Sequence, residues 1–371
     1  MKISQVRAIP VRVPRTPRFL PKTAHGEVST SEYVMLEIET ADGLTGLGEV
    51  TCSPRWNGEE AAGTTAFVRE RAGPALHGAD PASWAGVSAR LTAAFTGRPF
   101  LRAGLEMACL DLFGRSMGVP VADLLGGVYR ERIATKFVLP ARDVGRVRAM
   151  AEDLATMGVD VVKVKVGTGT DGDVARVAAV RDVLGADVRL TVDANEGWQP
   201  EEARRVLAGL AEHGVAAVEQ PLPRAAWRAS ALLRGSSPAA IVADESVWTM
   251  ADVARCTETG AFDMVSLYPG KCGGLRTTVA LAEAAQGLGL GVTFGSNLEL
   301  GVGAAGLAHA IAASPVLSPL VPADLIGPLY FESSLVTDAS FVGWGSAGLP
   351  PGPGLGVELD RVALARYRMD Q

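Results

Sequence analysis

The chain has 371 residues, of which 48% are hydrophobic and 20% are charged, so it can bury a large core and is not disordered. The formal net charge is −6 and there is no long basic run, which argues against nucleic acid or an anionic membrane as a partner. The length exceeds one average domain and favours a large barrel or two domains.

Cysteine usage and the first residues indicate where the protein works. The four cysteines are scattered and match neither a zinc site nor a disulfide framework, which predicts a reducing cytoplasm. The chain starts with a strand-like alternation rather than the apolar core of a signal peptide, and no apolar run of membrane length follows. We therefore expect a cytoplasmic protein without a membrane partner.

Residues 1–128 predict a separate α+β domain. Alternating apolar residues indicate strands of a meander over 3–13, 33–40 and 44–50. Helical periodicity follows over 59–73, 81–95 and 102–118. The connection from Pro14 to Thr30 is too long and too polar for a simple hairpin, which indicates a lid or binding segment.

Residues 129–329 alternate strand-like and helix-like segments, which predicts a parallel β/α barrel. After a first strand over 133–139, five short apolar runs end in Lys165, Asp193, Glu219, Asp244 and a turn with Lys271. These charges recur every 25 to 28 residues, about one strand plus one crossover helix. An eighth strand is expected near position 320, and residues 330–371 leave the barrel through a rigid connector rich in Pro and Gly.

The spacing brings these charges together, because the carboxyl ends of all strands in a closed barrel open onto one face. Three carboxylates there would repel one another without a cation, and oxygen ligands from three strands suit Mg²⁺. Lys163 and Lys165 lie two residues apart on one strand and point to the same side, and Lys271 comes from the opposite side of the ring. Any one of these charges could be a helix N-cap or a solvated residue; five in phase favour a functional site.

The residues around these charges match a known family. Its motifs are present as Asp193-Ala194-Asn195, Glu219-Gln220-Pro221, Asp244-Glu245-Ser246 and Lys271-Cys272-Gly273-Gly274. The whole pattern resembles the enolase superfamily, and within it the muconate-lactonizing-enzyme subgroup of the mandelate racemase/muconate lactonizing enzyme family. The resemblance covers nearly the whole chain. It implies an α/β fold, a (β/α)7β TIM-like barrel over 129–329 with an α+β capping domain formed by residues 1–128 and the returning C-terminal segment 330–371.

The resemblance also implies a reaction and a set of roles. Lys165 and Lys271 would be the acid/base pair, Lys163 the residue that tunes them, and Asp193, Glu219 and Asp244 the ligands of Mg²⁺, for which Mn²⁺ could substitute. The enzyme would abstract the proton next to the carboxylate of a small substrate and give a metal-stabilised enediolate. An isomerase of this kind is expected to catalyse one of two reactions. One is cycloisomerisation, and the other is racemisation or epimerisation. The alternatives are a syn-dehydratase of the same family and a barrel without catalysis that serves as a binding protein. We also expect a homo-oligomer.

Further residues are expected around this centre. They are Asn195 and Glu245 beside the ligands, Glu299 and Asp324 after the seventh and eighth strands, and His25, Arg55 and Trp56 in loops that reach over the barrel mouth. Asn195 and Glu245 could equally be N-caps or surface residues, and Glu299 a helix N-terminal charge. No histidine lies at a strand end, so a histidine base is not expected. Dipeptide epimerases of the subgroup carry Asp-x-Asp after the eighth strand, whereas Asp324-Leu325-Ile326 keeps only the first acid.

Overall fold

The computed structural model describes residues 1–17, 20 and 22–370; Arg18, Phe19 and Pro21 of the predicted lid lie outside this set. The strands are β1 Ile3–Pro14, β2 Lys22–Thr23, β3 Gly26–Glu27, β4 Thr30–Thr40, β5 Thr45–Cys52, β6 Ile133–Ala134, β7 Phe137–Leu139, β8 Val161–Lys165, β9 Arg189–Asp193, β10 Val215–Glu219, β11 Ala240–Ala243, β12 Met264–Leu267, β13 Gly291–Phe294 and β14 Ser346–Ala347. The helices are α1 Ala61–Phe67, α2 Gly73–Leu76, α3 Trp84–Ala94, α4 Pro99–Met117, α5 Val121–Leu124, α6 Val144–Met157, α7 Thr170–Leu184, α8 Pro200–Leu210, α9 Trp227–Arg234, α10 Met250–Thr259, α11 Pro269–Cys272, α12 Leu275–Gly287, α13 Gly301–Ala313 and α14 Arg361–Tyr367.

An antiparallel sheet with the order β1-β4-β5 forms the first part of the structure, as the sequence predicts. Helix α4 packs closely against β5 because two positions of that strand are glycines. A Cβ added to Gly48 would lie 2.1 Å from the carbonyl oxygen of Gly104 in α4, so no larger residue fits there. The predicted lid contains the short antiparallel pair β2 and β3, held to the barrel by the bidentate pair of Arg142 with Glu27.

Seven parallel strands, β7 to β13, pair with their neighbours in chain order, and helices connect them. The segment from Ser318 to Asp324 closes this sheet into a barrel. On one side it bonds to β13, through Ser318 N to Val292 O and Asp324 N to Phe294 O. On the other side it bonds to the start of the first strand, through Ala323 N to Ala134 O. The expected eighth strand is thus an irregular segment.

The prolines explain why the closing segment is irregular. Pro319 and Pro322 interrupt it, and a proline has no N–H to donate to a sheet. The barrel is therefore completed by a few single hydrogen bonds and the bridge between Thr135 and Ala323 rather than by a continuous ladder.

The C-terminal segment returns to the antiparallel sheet. Met369 N donates to Pro10 O, and Arg361 of α14 pairs with the buried Glu37 of β4 at 2.6 Å. Cys52, Cys109, Cys256 and Cys272 are all buried and unpaired with one another. Within the described residues, no helix has the length and apolar character needed to cross a membrane. The division at 128/129 and 329/330, the homo-oligomer and the cytoplasmic location stay predictions.

Candidate active site

A cavity of about 180 Å³ opens at the carboxyl ends of the barrel strands, below the β2–β3 hairpin and the segment after β5. Ten of the predicted site residues line it: His25, Arg55, Trp56, Lys163, Lys165, Asp193, Asn195, Glu219, Asp244 and Asp324. Glu245, Lys271 and Glu299 do not. A larger groove of about 800 Å³ lies between β1 and α14 and is lined by none of the predicted site residues.

Lys163 and Lys165 end β8 on the same face of the strand. Lys163 Nζ lies 2.5 Å from Asp324 Oδ2 and 3.2 Å from Glu219 Oε2, and Lys165 Nζ lies 2.5 Å from Asp193 Oδ2. Burial disfavours a charged Lys163, but the carboxylates of Asp324, Glu219 and Asp193 outweigh burial and raise its pKa. Lys165 keeps 15% of its side chain exposed against 4% for Lys163, so Lys165 is the lysine that a ligand can reach.

The three predicted metal ligands lie on adjacent strands and are buried: Asp193 and Glu219 end β9 and β10, and Asp244 follows β11. Burial raises the pKa of Glu219 to about 7, opposed by Lys163 and reinforced by Asp193 and other nearby carboxylates. Burial also raises the pKa of Asp244 to about 6. Burial acts in the same direction on Asp193, but Lys165 and Lys163 lower its pKa to about 2. The cluster therefore brings three buried carboxylates together without enough positive charge to stabilise all of them in the ionised form.

Lys271 lies on the short helix α11, on the other side of the carboxylate cluster from β8. Its Nζ donates to Asp244 Oδ1 at 2.6 Å and to the Asp244 and Ser266 carbonyl oxygens at 2.7 Å. The ammonium lies 5.0 Å from the centre of the Tyr268 ring, which itself lines the cavity. Lys271 is fully buried and does not line the cavity itself. It contacts Asp244, which does.

The rim of the cavity is organised around the buried Glu245. Its Oε1 accepts from Asn195 Nδ2 at 3.1 Å and from Trp56 Nε1 at 3.4 Å, and His25 Nε2 lies 3.6 Å away. Trp56 also stacks on Trp248, with ring centroids 5.2 Å apart. Three predicted residues from three distant segments thus meet at one carboxylate, which ties the lid to the barrel. Arg55 is exposed and donates to the His25 carbonyl at 3.4 Å.

Asp324 and Glu299 lie in different surroundings. Asp324 accepts from Lys163 and also lies 3.1 Å, through Oδ1, from the Nζ of Lys136, a lysine with 1% of its surface exposed. Glu299 faces a separate small cavity that it shares with Glu49 of β5. Burial raises the pKa of Glu299 to about 7. The acid after the seventh strand therefore sits at the contact between the barrel and the antiparallel sheet.

Two basic residues at the site, Lys136 and Arg15, were not predicted from the sequence. Lys136 lies between β6 and β7, two residues before Val138, which lines the cavity, and Arg15 lines the cavity from the position directly after β1. The period of the strand gives a signal for Lys136, because residues two apart share a face. Lys136 also donates to the Pro322 carbonyl at 2.6 Å, a partner that only the closed barrel supplies.

The carboxylate cluster fits a hard dication by its chemistry. It offers buried oxygen ligands from three strands, and two of them have raised pKa values that added positive charge would lower. Each carboxylate is turned toward a different lysine: Asp193 to Lys165, Glu219 to Lys163 and Asp244 to Lys271. Among the described residues, the side chains whose ligand atoms already lie within 4.8 Å of one another are instead His25, Glu196 and Glu245 at the rim.

A parallel β/α barrel whose charged cavity opens at the carboxyl ends of its strands, covered by a second α+β unit, defines a barrel enzyme that acts on a small molecule. Family models match most of the chain: "Mandelate racemase / muconate lactonizing enzyme, N-terminal domain" over 4–126 and "Enolase C-terminal domain-like" over 146–363. The chain belongs to the mandelate racemase/muconate lactonizing enzyme family of the enolase superfamily, in its muconate-lactonizing subgroup, and is an isomerase of that superfamily. Members of this family depend on a metal ion.

Individual relatives cover almost the whole chain. Muconate cycloisomerase 1 of Pseudomonas putida is 30% identical over 98% of both chains. A hydrophobic dipeptide epimerase of Enterococcus faecalis is 29% identical, over 91% of this chain and 94% of its own. The crystal structure of an N-succinyl Arg/Lys racemase from Bacillus cereus superposes with a TM-score of 0.92 at 27% identity, covering 100% of this chain and 98% of that one. The names of these relatives span cycloisomerase, racemase and epimerase.

Proposed function

We propose that this isomerase abstracts the proton next to a substrate carboxylate, with Lys165 and Lys271 as the acid/base pair. The observation that carries the proposal is the meeting of two lysines of β8 with three buried carboxylates at the floor of one cavity. A base must be accessible to the substrate, and Lys165 is the more exposed of the two lysines of β8. Asp193 and Asn195 hold its Nζ at 2.5 and 2.9 Å, which fixes the direction of proton transfer.

Lys271 would deliver or remove a proton from the opposite side. Its ammonium is held by Asp244 and the Ser266 carbonyl, so it is oriented but reaches a substrate only from behind Asp244. Racemisation needs both lysines, because each serves one face of the reacting carbon. A cycloisomerisation needs one lysine to return a proton. The relatives include enzymes named for each reaction, and we propose one of these two.

We further propose that Asp193, Glu219 and Asp244 hold Mg²⁺, or Mn²⁺ in its place. When bound, the ion would supply positive charge that stabilises the negative charge developing on the substrate carboxylate. The raised pKa values of Glu219 and Asp244 support this ligand set, because they reflect buried carboxylates that lack sufficient positive charge. Lys163, ion-paired with Glu219 and Asp324, would stay protonated and keep these carboxylates in place.

Hydrogen exchange in D₂O tests the proposal. The purified protein with Mg²⁺ is incubated with N-succinyl-L-amino acids and with cis,cis-muconate, and α-deuterium or deuterated lactone is followed by NMR. A racemase will exchange both enantiomers of its substrate. Lys165→Ala and Lys271→Ala should each abolish racemisation while one enantiomer still exchanges its proton. Absence of exchange for every acid that binds would contradict proton abstraction, and equal total loss for both enantiomers would count against a racemase.

A further inference from the structure

Arg15 is a half-buried cation on the wall of the cavity and has no role in the reaction described above. It directly follows β1, and its Nε donates to Ser31 Oγ at 2.9 Å. Its guanidinium lies over the ring of Phe331, 5.4 Å from the centroid. These two contacts fix the plane of the guanidinium, and among residues 1–17, 20 and 22–370 no hydrogen bond uses its two terminal amino groups, which are the atoms that bind a carboxylate in bidentate fashion.

The other cations of the cavity have partners of opposite charge, with one exposed exception. Lys163 pairs with Asp324, Lys165 with Asp193, and His25 lies beside Glu245. Arg55 has no carboxylate partner among the described residues, and it is exposed at the rim.

Arg15 combines burial with the lack of an acid. No aspartate or glutamate among residues 1–17, 20 and 22–370 forms an ion pair with it, and the four remaining residues are an arginine, a phenylalanine, a proline and a glutamine. Burial lowers the pKa of Arg15, and the ionisable group that acts on it is the Tyr33 hydroxyl rather than a carboxylate. A half-buried charge without a carboxylate partner is only partly solvated, so the site favours a ligand that brings an anion.

A preference for a substrate ammonium would need a carboxylate that is free to bind it, and Asp324 is not free. Asp324 is the acid that remains of the Asp-x-Asp pattern, and Lys136 Nζ at 3.1 Å and Lys163 Nζ at 2.5 Å already neutralise it from two sides. Lys136 is buried to 1% exposure and holds its place through the Pro322 carbonyl, so it cannot swing away into water. Asp324 is therefore committed to the protein's own ammonium groups.

We propose that Arg15 forms a subsite for a second anionic group of the substrate, remote from the carboxylate next to the reacting carbon. The proposal rests on the proposed function and narrows it, because it assigns this isomerase to substrates with a distal carboxylate rather than a distal ammonium. Charge-assisted hydrogen bonds in a desolvated site change affinity by roughly 10- to 100-fold. We therefore expect a dicarboxylate to bind at least about tenfold more tightly than the same molecule with its distal carboxylate changed to an amide.

Calorimetry in the presence of Mg²⁺ tests the subsite with two pairs of probes. The pairs are N-succinyl-L-alanine with N-succinamoyl-L-alanine, and cis,cis-muconate with its monoamide. In Arg15→Met the preference for the acid over the amide should fall to within about twofold for the pair that binds. Arg15→Lys should retain part of the preference, since a charge remains. The matched control is Arg12→Met, three residues earlier in β1, whose guanidinium is exposed and paired with Glu32 at 2.7 Å.

The outcomes separate the subsite from the reaction. An acid preference that Arg15→Met does not reduce, no acid preference in the unmodified protein, or no binding of either dicarboxylate would each overturn the subsite. Tighter binding of L-alanyl-L-alanine than of N-succinyl-L-alanine would also overturn it, because the dipeptide carries an ammonium. A preference that depends on Arg15 without α-deuterium exchange would leave the subsite standing and contradict only the proposed reaction. A thermal melt establishes that Arg15→Met folds; if it does not, Arg15→Lys and the comparison of acid with amide in the unmodified protein decide.

Discussion

At the scale of single residues, Lys136 is the least expected part of the site. A lysine removed from water costs several kcal/mol unless it is paired and fully hydrogen-bonded. Here the Asp324 carboxylate supplies an ion-pair partner at 3.1 Å, and the Pro322 carbonyl accepts a hydrogen bond at 2.6 Å. Burial still lowers the pKa of Lys136, while Asp324 acts in the opposite direction. The lysine thus contacts the cavity lining through Asp324.

We expect Lys136→Met to lower the free energy of unfolding by about 3 kcal/mol, because it removes one of the two ammonium groups from a buried carboxylate. Asp324 keeps Lys163 as a partner, which limits the loss. Urea unfolding measures the change, with Lys2→Met as the exposed control. A loss below about 1 kcal/mol would mean that water enters the site or that Lys136 is neutral.

Glu219 tests the metal site directly. Glu219→Gln keeps the size of the side chain but removes one negative charge from the proposed ligand set, so a strongly hydrated dication should bind far more weakly. We expect turnover with added Mg²⁺ to fall by at least about 100-fold. The melting temperature should change little, since the site lies at the functional face of the barrel rather than in its core.

The measurement for Glu219→Gln is a turnover assay at several Mg²⁺ concentrations beside a thermal melt. Glu212→Gln, on the exposed surface after α8, is the control. Activity near that of the unmodified protein would remove Glu219 from the ligand set, and with it the pattern on which Asp193 and Asp244 were assigned.

At the scale of elements, a loop at the barrel mouth is held by polar side chains of the antiparallel sheet. Glu49 of β5 is buried and accepts from Leu300 N at 2.7 Å and Gly303 N at 2.8 Å, at the start of α13. A carboxylate at a helix N-terminus satisfies amide groups that have no partner within the helix. The same turn carries Leu298, which lines the cavity and accepts from the Tyr33 hydroxyl at 2.6 Å.

We expect Glu49→Ala to cost about 2–3 kcal/mol in the free energy of unfolding, because it leaves two buried amide groups without an acceptor. Substrate affinity should weaken as well, since the loop with Leu298 loses its anchor. Chemical unfolding and calorimetry with a bound dicarboxylate measure the two effects. The control is Glu39→Ala in β4, whose carboxylate is partly exposed and paired with Arg7. An unfolding energy equal to that of the control would show that water replaces Glu49.

The sequence predicts the barrel and the carboxylate–lysine cluster because both follow from a period. Strands recur at regular intervals, and Asp193, Glu219 and Asp244 mark the ends of three of them. The closing segment breaks this period, since its prolines prevent a regular strand. Lys136 and Arg15 could not be assigned from pattern alone. A lone lysine or arginine in a strand is normally exposed, and whether it is buried or paired depends on partners that only the closed barrel brings near.

At the scale of the whole molecule, the three parts of the chain meet around buried polar residues rather than at a purely apolar seam. Asp111 of α4 accepts from Leu47 N at 2.8 Å and from Leu355 N at 2.6 Å, which joins the sheet to the C-terminal segment. His309 of α13 joins the barrel to helix α5 and to the C-terminal segment. Its Nδ1 accepts from Ala122 N at 3.1 Å, and its Nε2 lies 3.2 Å from Leu355 O. Such contacts are directional, so they fix how the parts sit on one another.

His309 makes the stability of this assembly depend on pH. Burial lowers the pKa of His309 from 6.5 to about 4, and Nδ1 must be unprotonated to accept from Ala122 N. Between these two pH values the unfolded chain binds a proton that the folded protein does not, so stability is complete above pH 6.5 and falls as the pH falls toward 4. The contribution lost between pH 6.5 and 4.5 is about 2–3 kcal/mol. His309→Gln, which keeps a donor and an acceptor but does not titrate, should lose that much less stability over this range. Urea unfolding at pH 7 and pH 4.5 measures it, with His213→Gln as the control, and equal losses for His309→Gln and the unmodified protein would mean that His309 is protonated in the folded state.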